Sequence, residues 1–173
     1  MNITIRPETK NDYLAIREIN DLAFKQKNEG LLIEKLRETS DFIPELSLVA
    51  QFEGKVVGHL LLYPVQVNNK NTKHAVLSLG PMSVHPDYQR KGIGSKLVRE
   101  GLKRAKEKGY GSVILVGHPE YYPRFGFSKA SKFEIKVPFD APDNAFMALE
   151  LVENALQNVK GVVEYPNSFY EAL

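Results

Sequence analysis

Two stretches of the chain carry residues whose types and spacing could do chemistry. The first is VHPDYQRKGIGSKLV, residues 84–98. It sets Arg90, Lys91 and Lys96 around Gly92 and Gly94, then turns apolar at helical spacing through Leu97, Val98, Leu102 and Ala105. A helix that opens near Lys91 to Gly94 has first-turn N–H groups with no intrahelical partner. Those groups, together with the macrodipole, favour an anion. Gly92 and Gly94 let the backbone approach a ligand closely and adopt positive φ. The chemistry is that of a diphosphate cradle. It is neither a Walker loop, whose spacing is absent, nor a dinucleotide fingerprint, because Leu97 stands where the third glycine belongs. A tight strand-to-helix turn would use the same two glycines.

The second stretch is GHPEYYPRFGF, residues 117–127. His118 is an imidazole, a residue type that can exchange a proton. Glu120 offers a carboxylate, and Tyr121 and Tyr122 offer phenols that can donate one. The bland alternatives are a polar loop histidine before a rigid proline, and aromatic packing against a sheet with the hydroxyls reaching solvent. His59, inside a strand pattern, reads as structural.

Charge is distributed unevenly. The chain carries 23 Lys+Arg against 21 Asp+Glu, a net of +2. Residues 87–108 hold eight bases and three acids, so they carry +5 and the remainder carries −3. That segment is either an anion-binding element or a solvated helix face. It lacks the interleaved exposed aromatics of a nucleic-acid surface, so no nucleic-acid partner is expected. With no cysteine among 173 residues, disulfides, thiolate metal sites and a cysteine nucleophile are excluded, and no metal is expected. The start, MNITIRPETK, does not read as a signal peptide, and no apolar run is long enough to span a bilayer. A cytoplasmic protein without a membrane partner is the expectation.

These stretches need elements to position them. ITIRPE alternates like a short strand, and Thr9 or Asn11 can cap a helix that carries Tyr13, Ile16, Ile19 and Ala23. EGLLIEKLRE, residues 29–38, predicts a second helix. ELSLVAQFEGKVVGHLLLYPVQV predicts a hairpin turning at Glu53-Gly54. KHAVLSLGPMSV, residues 73–84, is a central strand, followed by a helix over 92–108 that Gly109 and Gly111 end, and a buried strand over 112–117. FEIKVP, FMALEL and VVEYP are three further strands. The pattern predicts a mixed α/β fold on one sheet, with the strand–helix–strand unit as its one parallel connection. The length fits a single domain over 1–173.

Together, LGPMSVHPDYQRKGIGSKLVREGLKRAKEKGY and the Tyr122-to-Gly126-Phe127 spacing resemble the acetyl-CoA-binding core of the GNAT superfamily of N-acyltransferases. The marks are Gln89-Arg90-Lys91-Gly92-Ile93-Gly94, in the family's Gln/Arg-x-x-Gly-x-Gly/Ala pattern, and a Tyr four residues before Gly-Phe. The ending YPNSFYEAL, with GHPEYYPRFGF, is similar to a bacterial branch of predicted N-acetyltransferases. The resemblance implies a mostly antiparallel sheet flanked by helices, with a V-shaped splay between its two central parallel strands. It implies acetyl-CoA as co-substrate and direct transfer of acetyl to a primary amine in a ternary complex. Met82, Ser83 and Val84 would pair with the pantetheine arm, with the N–H of Met82 or a neighbour polarising the thioester carbonyl. Gln89, Arg90, Lys91, Gly92, Ile93, Gly94 and Ser95 would hold the diphosphate, and Gly117 would line the cofactor's path. Tyr122 would give a proton to the departing thiolate.

The chain departs from the family in two places. Many relatives carry a Glu on the central strand, whereas VLSLGPMSV has no carboxylate, so His118 is the candidate base, with Glu120 or water behind it. Many relatives place an Asn seven residues before the Tyr, where this chain has Leu115. The missing base leaves a second reading, a non-catalytic acyl-CoA-binding or sensing module on the same fold. The resemblance implies as acceptor a small-molecule amine, an amino acid or a protein or peptide N-terminus, with Phe24 to Leu36 and the tail strands as the candidate lining, and relatives often form a homodimer through the tail strands.

Overall fold

The computed structural model describes all 173 residues. Nine strands and four α-helices make up the regular structure of the chain. They are β1 (Thr4–Pro7), α1 (Tyr13–Phe24), α2 (Asn28–Arg37), β2 (Ser47–Phe52), β3 (Lys55–Asn69), β4 (Thr72–Val84), α3 (Ile93–Glu107), β5 (Ser112–Val116), β6 (Ser128–Lys129), β7 (Ile135–Lys136), β8 (Phe146–Glu150), β9 (Gly161–Glu164) and α4 (Asn167–Glu171). The strands form one open, mostly antiparallel sheet in the order β1-β2-β3-β4-β5-β8-β6, with β9 also on β3 and β7 on β9. The chain divides into two compact units. The first is Met1–Tyr63, Gly80–Gly101 and Asn167–Leu173; the second is Pro64–Leu79 and Leu102–Pro166.

In the first unit, β2 and β3 make the expected hairpin. Glu53 and Gly54 both take positive φ, 49° and 79°, as a tight two-residue turn demands. A register shift between Ala50 and Gln51 bends the pair. From Val57 to Tyr63 every residue of β3 is buried, so both faces of the strand are covered. Its even positions receive α3. A Cβ on Gly101 would lie 2.6 Å from Leu60 Cδ2 and 3.2 Å from Leu62 Cδ1, and one on Gly58 would lie 3.1 Å from Leu97 Cδ1. Two missing side chains therefore let helix and strand approach. The odd positions face the other way, where the Tyr63 hydroxyl sits 2.7 Å from Thr39 Oγ1 and its ring 6.1 Å from Phe169 of α4.

Thr9 caps a single 3₁₀ turn at Lys10–Asp12, and the residue at the N-terminal cap of α1 itself is Asp12 rather than Thr9 or Asn11. The Asp12 carboxylate accepts the Thr9 N–H at 2.7 Å and the Arg6 guanidinium at 2.8 and 3.0 Å. Arg17 then ties α1 to α2 through Glu34 at 2.6 Å.

In the second unit, β5 pairs antiparallel with β8 from Ser112↔Glu150 to Val116↔Phe146. Its parallel register with β4 is Leu77↔Val113 and Ser78↔Ile114, which is the predicted parallel connection. The tail differs from its prediction. FEIKVP is mostly not a strand: a 3₁₀ turn takes Ala130–Phe133, Glu134 turns left-handed at φ 58°, and only Ile135–Lys136 pair. That short pair is parallel to β9, so β4–β5 is not the sheet's one parallel contact. FMALEL and VVEYP are strands as expected, with β9 beginning one residue earlier.

Candidate active site

In the first unit the end of β4 leads into the loop that opens α3. Met82 and Val84 are half-buried and Ser83 is buried, its hydroxyl without a partner. The His85 N–H donates to the Val57 carbonyl at 2.8 Å, pinning the start of the loop to β3. Pro86–Tyr88 form a 3₁₀ turn, capped by His85 Nδ1 accepting the Asp87 N–H at 3.1 Å. Gln89, Arg90, Lys91 and Gly92 are exposed. Arg90 and Gly92 both take positive φ, 62° and 83°. The Lys96 N–H donates to the Gly92 carbonyl at 3.2 Å. The N–H groups of Ile93, Gly94 and Ser95 therefore precede that first helical bond, at the positive end of the macrodipole. The arrangement is a loop with a basic rim and helix-start amides, which suits an anion.

One expectation changes here. Gly94 lies inside the first turn of α3 and does not take positive φ; Arg90 takes that role, a left-handed residue that composition does not flag. Ile93 is 1% exposed, and its Cγ2 lies 3.3 Å from where a Cβ on Gly58 would be, so its side chain seats the helix.

In the second unit β5 ends at Val116, which is exposed, followed by half-buried Gly117 and exposed His118. The His118 carbonyl accepts the N–H of Tyr121 at 3.1 Å and of Tyr122 at 3.4 Å, folding the chain into the 3₁₀ turn Tyr122–Phe125. Tyr122 is 8% exposed. Its ring meets Tyr121 at 5.1 Å and Phe127 at 5.9 Å, both edge-on. Gly117 lies directly beneath: a Cβ there would be 2.5 Å from Tyr122 Cε2. Burial, with a smaller push from Tyr121, raises the Tyr122 phenol to about 12. Tyr122 thus keeps its proton at neutral and mildly alkaline pH. Tyr121 differs: the Arg124 guanidinium covers its ring at 4.4 Å and donates to its carbonyl at 2.8 Å.

A buried polar cluster in the first unit escaped the sequence. Arg37 Nε donates to Glu8 Oε2 at 2.8 Å, Ser47 Oγ donates to Glu8 Oε1, and His59 Nε2 lies 2.8 Å from Ser47 Oγ. With the hydroxyl proton directed at Glu8, the His59 bond is donated by Nε2–H. His59 Nε2 is 3.8 Å from Glu8 and so reaches it through Ser47. Burial, opposed by Glu8, holds His59 below its usual range, so the ring is neutral. Burial alone would raise Glu8, but His59, Ser47 and Arg37 outweigh it and hold the carboxylate low. His59 is structural, as its place in the strand suggested.

The predicted residues thus form two groups, Met82 to Ser95 in the first unit and Gly117, His118 and Tyr122 in the second. No group of three or more His, Asp or Glu side chains is arranged to hold a metal ion, and no helix is long and apolar enough to cross a membrane.

Known proteins resemble this chain in sequence and in fold. The uncharacterized N-acetyltransferase YhbS of Escherichia coli is 33% identical over 166 residues, covering 95% of this chain and 97% of its own. A crystal structure of YhbS in complex with CoA superposes with a TM-score of 0.91 at 30% identity, covering 98% of this chain and 93% of that one. A GNAT family acetyltransferase from Brucella melitensis in complex with acetyl-CoA gives 0.79 at 31% identity, with 97% and 98% covered. The family model described as acetyltransferase (GNAT) domain matches residues 4–130, a span that holds the α3 loop and Tyr122 alike, and the chain belongs to that family.

Proposed function

We propose that this protein transfers the acetyl group of acetyl-CoA to a primary amine by direct attack. The observation that carries the reading is the start of α3, where left-handed Arg90 and Gly92 and the amides of Ile93 to Ser95 suit a diphosphate. The relatives with CoA and acetyl-CoA bound support the same co-substrate. Met82, Ser83 and Val84 pair with the pantetheine arm as a strand would, and the Met82 N–H polarises the thioester carbonyl. Holding both substrates in one site supplies much of the rate.

The amine nitrogen attacks the carbonyl carbon, the C–S bond breaks, and the sulfur leaves as thiolate. A free thiol titrates near ~8.5, whereas Tyr122 stands at about 12. Moving the proton from phenol to sulfur is thus uphill by roughly 5 kcal/mol. Tyr122 therefore acts by holding a hydrogen bond on the developing thiolate rather than by surrendering its proton, a narrower role than that of a full acid. His118, exposed at the end of β5, takes the amine proton directly or through water and passes it to solvent.

Calorimetric titration with acetyl-CoA and CoA tests the reading, on wild type and on the Gly92→Trp, Gly94→Trp double variant. Micromolar binding lost in the variant, followed by thiol release with an amine panel, is the expected result. A folded wild type that binds neither ligand overturns it. Binding without turnover of any amine leaves the acyl-CoA-binding module in its place.

A further inference from the structure

We infer that Gln89 is a positioning residue, a brace that ties the diphosphate loop to the end of β4, and does not itself reach for the anion; the inference rests on the functional reading above. The side chain of Gln89 is exposed, yet it does not extend outward from the loop. It folds back across five residues, and its Nε2 donates to the Val84 carbonyl at 2.9 Å. Val84 is the last residue of β4, the strand proposed to pair with the pantetheine arm.

The segment between them is closed on itself. The Tyr88 N–H donates to the His85 carbonyl at 2.8 Å. The Tyr88 ring stands edge-on to Phe52 at 6.0 Å and to His85 at 5.8 Å, and the Lys91 ammonium lies 5.9 Å from its centroid. Immediately after the brace comes Arg90, a non-glycine residue at φ 62°. A side chain in that region is strained and persists only where its surroundings hold it. Gln89 on one side and the first turn of α3 on the other supply that hold. The brace thus couples two parts of one ligand site. It fixes the left-handed turn that shapes the loop, and it fixes that loop against the strand end.

The test is Gln89→Met, which keeps the length and removes the donor. Backbone ¹⁵N order parameters are measured without ligand, and steady-state kinetics with acetyl-CoA and an amine that wild type acetylates. In wild type residues 89–92 read near 0.85, as rigid backbone does, and in the variant they fall below about 0.6 while the interior of α3 is unchanged. The KM for acetyl-CoA rises about three- to tenfold, the worth of one hydrogen bond, with kcat within about twofold. Unchanged order parameters overturn the brace, and a raised KM would then mean that Gln89 touches the ligand. A loosened loop with an unchanged KM overturns the positioning role. If wild type fails to bind acetyl-CoA, the functional reading falls separately, and the ligand-free order parameters still decide the brace.

Discussion

Gly117→Ala probes the placement of Tyr122 without touching the phenol. Gly117 is absent from the positive-φ residues, so alanine fits its backbone and the perturbation is steric. The added Cβ would lie 2.5 Å from Tyr122 Cε2, 3.1 Å from Cδ2 and 3.3 Å from Leu115 Cδ1. Carbon atoms rest at about 3.5 to 4.0 Å, so the ring edge must withdraw by about 1 Å. It has little freedom to do so, because Tyr121 and Phe127 stand edge-on against it at 5.1 and 5.9 Å. Displacing a catalytic group by about 1 Å costs on the order of 10²-fold. We therefore expect kcat for thiol release, at saturating acetyl-CoA and amine, to fall about a hundredfold in Gly117→Ala. In a Tyr122→Phe background the same substitution is expected to add little, because both changes act on one group. A Gly117→Ala enzyme within twofold of wild type refutes the reasoning. So does a Gly117→Ala change that still slows Tyr122→Phe a hundredfold.

Further outcomes follow from the same geometry. With Tyr122 at about 12, the pH profile of kcat should show no decline up to pH ~10 that Tyr122→Phe removes; such a decline would mean a phenol that ionises far lower. Gly101→Ala should lose about 1–2 kcal/mol in denaturant unfolding, despite alanine's better helix propensity. The new methyl would meet Leu60 Cδ2 at 2.6 Å, and Leu60→Val should restore part of the loss. Arg37→Met should cost about 3 kcal/mol at neutral pH by leaving Glu8 buried without its partner. Glu8 is depressed below its ordinary value of 4.5, so its stabilisation is full above that value and is lost as pH falls through the folded-state value. The gap between wild type and Arg37→Met, read from urea midpoints, should therefore narrow on acidification below about pH 4.5. A gap that widens there would contradict the ion pair.

The parts of the site legible in sequence were those whose signal is local. A basic loop, two glycines and an apolar helical period stand within fifteen residues of one another, so both the helix start and its affinity for anions follow from spacing. The same holds for Tyr122, whose turn closes within a few residues on the carbonyl of His118. Gly58 and Gly101 were illegible for the opposite reason. A lone glycine inside a strand or helix reads as a weak point, and only the partner element shows it as the place where α3 sits down on β3. FEIKVP shows the limit from another side: its alternation is sound, but a period of two over so few residues does not oblige a strand. Glu134 turning left-handed at φ 58° breaks the run.

The Glu8–Ser47–His59–Arg37 cluster marks the deeper boundary. Glu8 sits at the exit of β1, Ser47 opens β2, His59 lies in mid-β3 and Arg37 ends α2. Each alone is an ordinary polar residue; burial of Glu8, Ser47 and His59 beside a half-buried Arg37 makes them a system. A buried carboxylate is tolerable only with its donors in place, so the register of three strands and the seat of α2 must be correct together before any member is stable. That interdependence ties the helices to β1–β3 more specifically than apolar contact could, because a shifted register would strand a charge. The same logic applies to Gln89 at smaller scale. It is a polar side chain that the motif assigns to a ligand, yet the fold has already given it a backbone partner. Sequence indicates which residues can bind an anion. Which of them are left free to do so is decided by the hydrogen bonds the chain makes with itself.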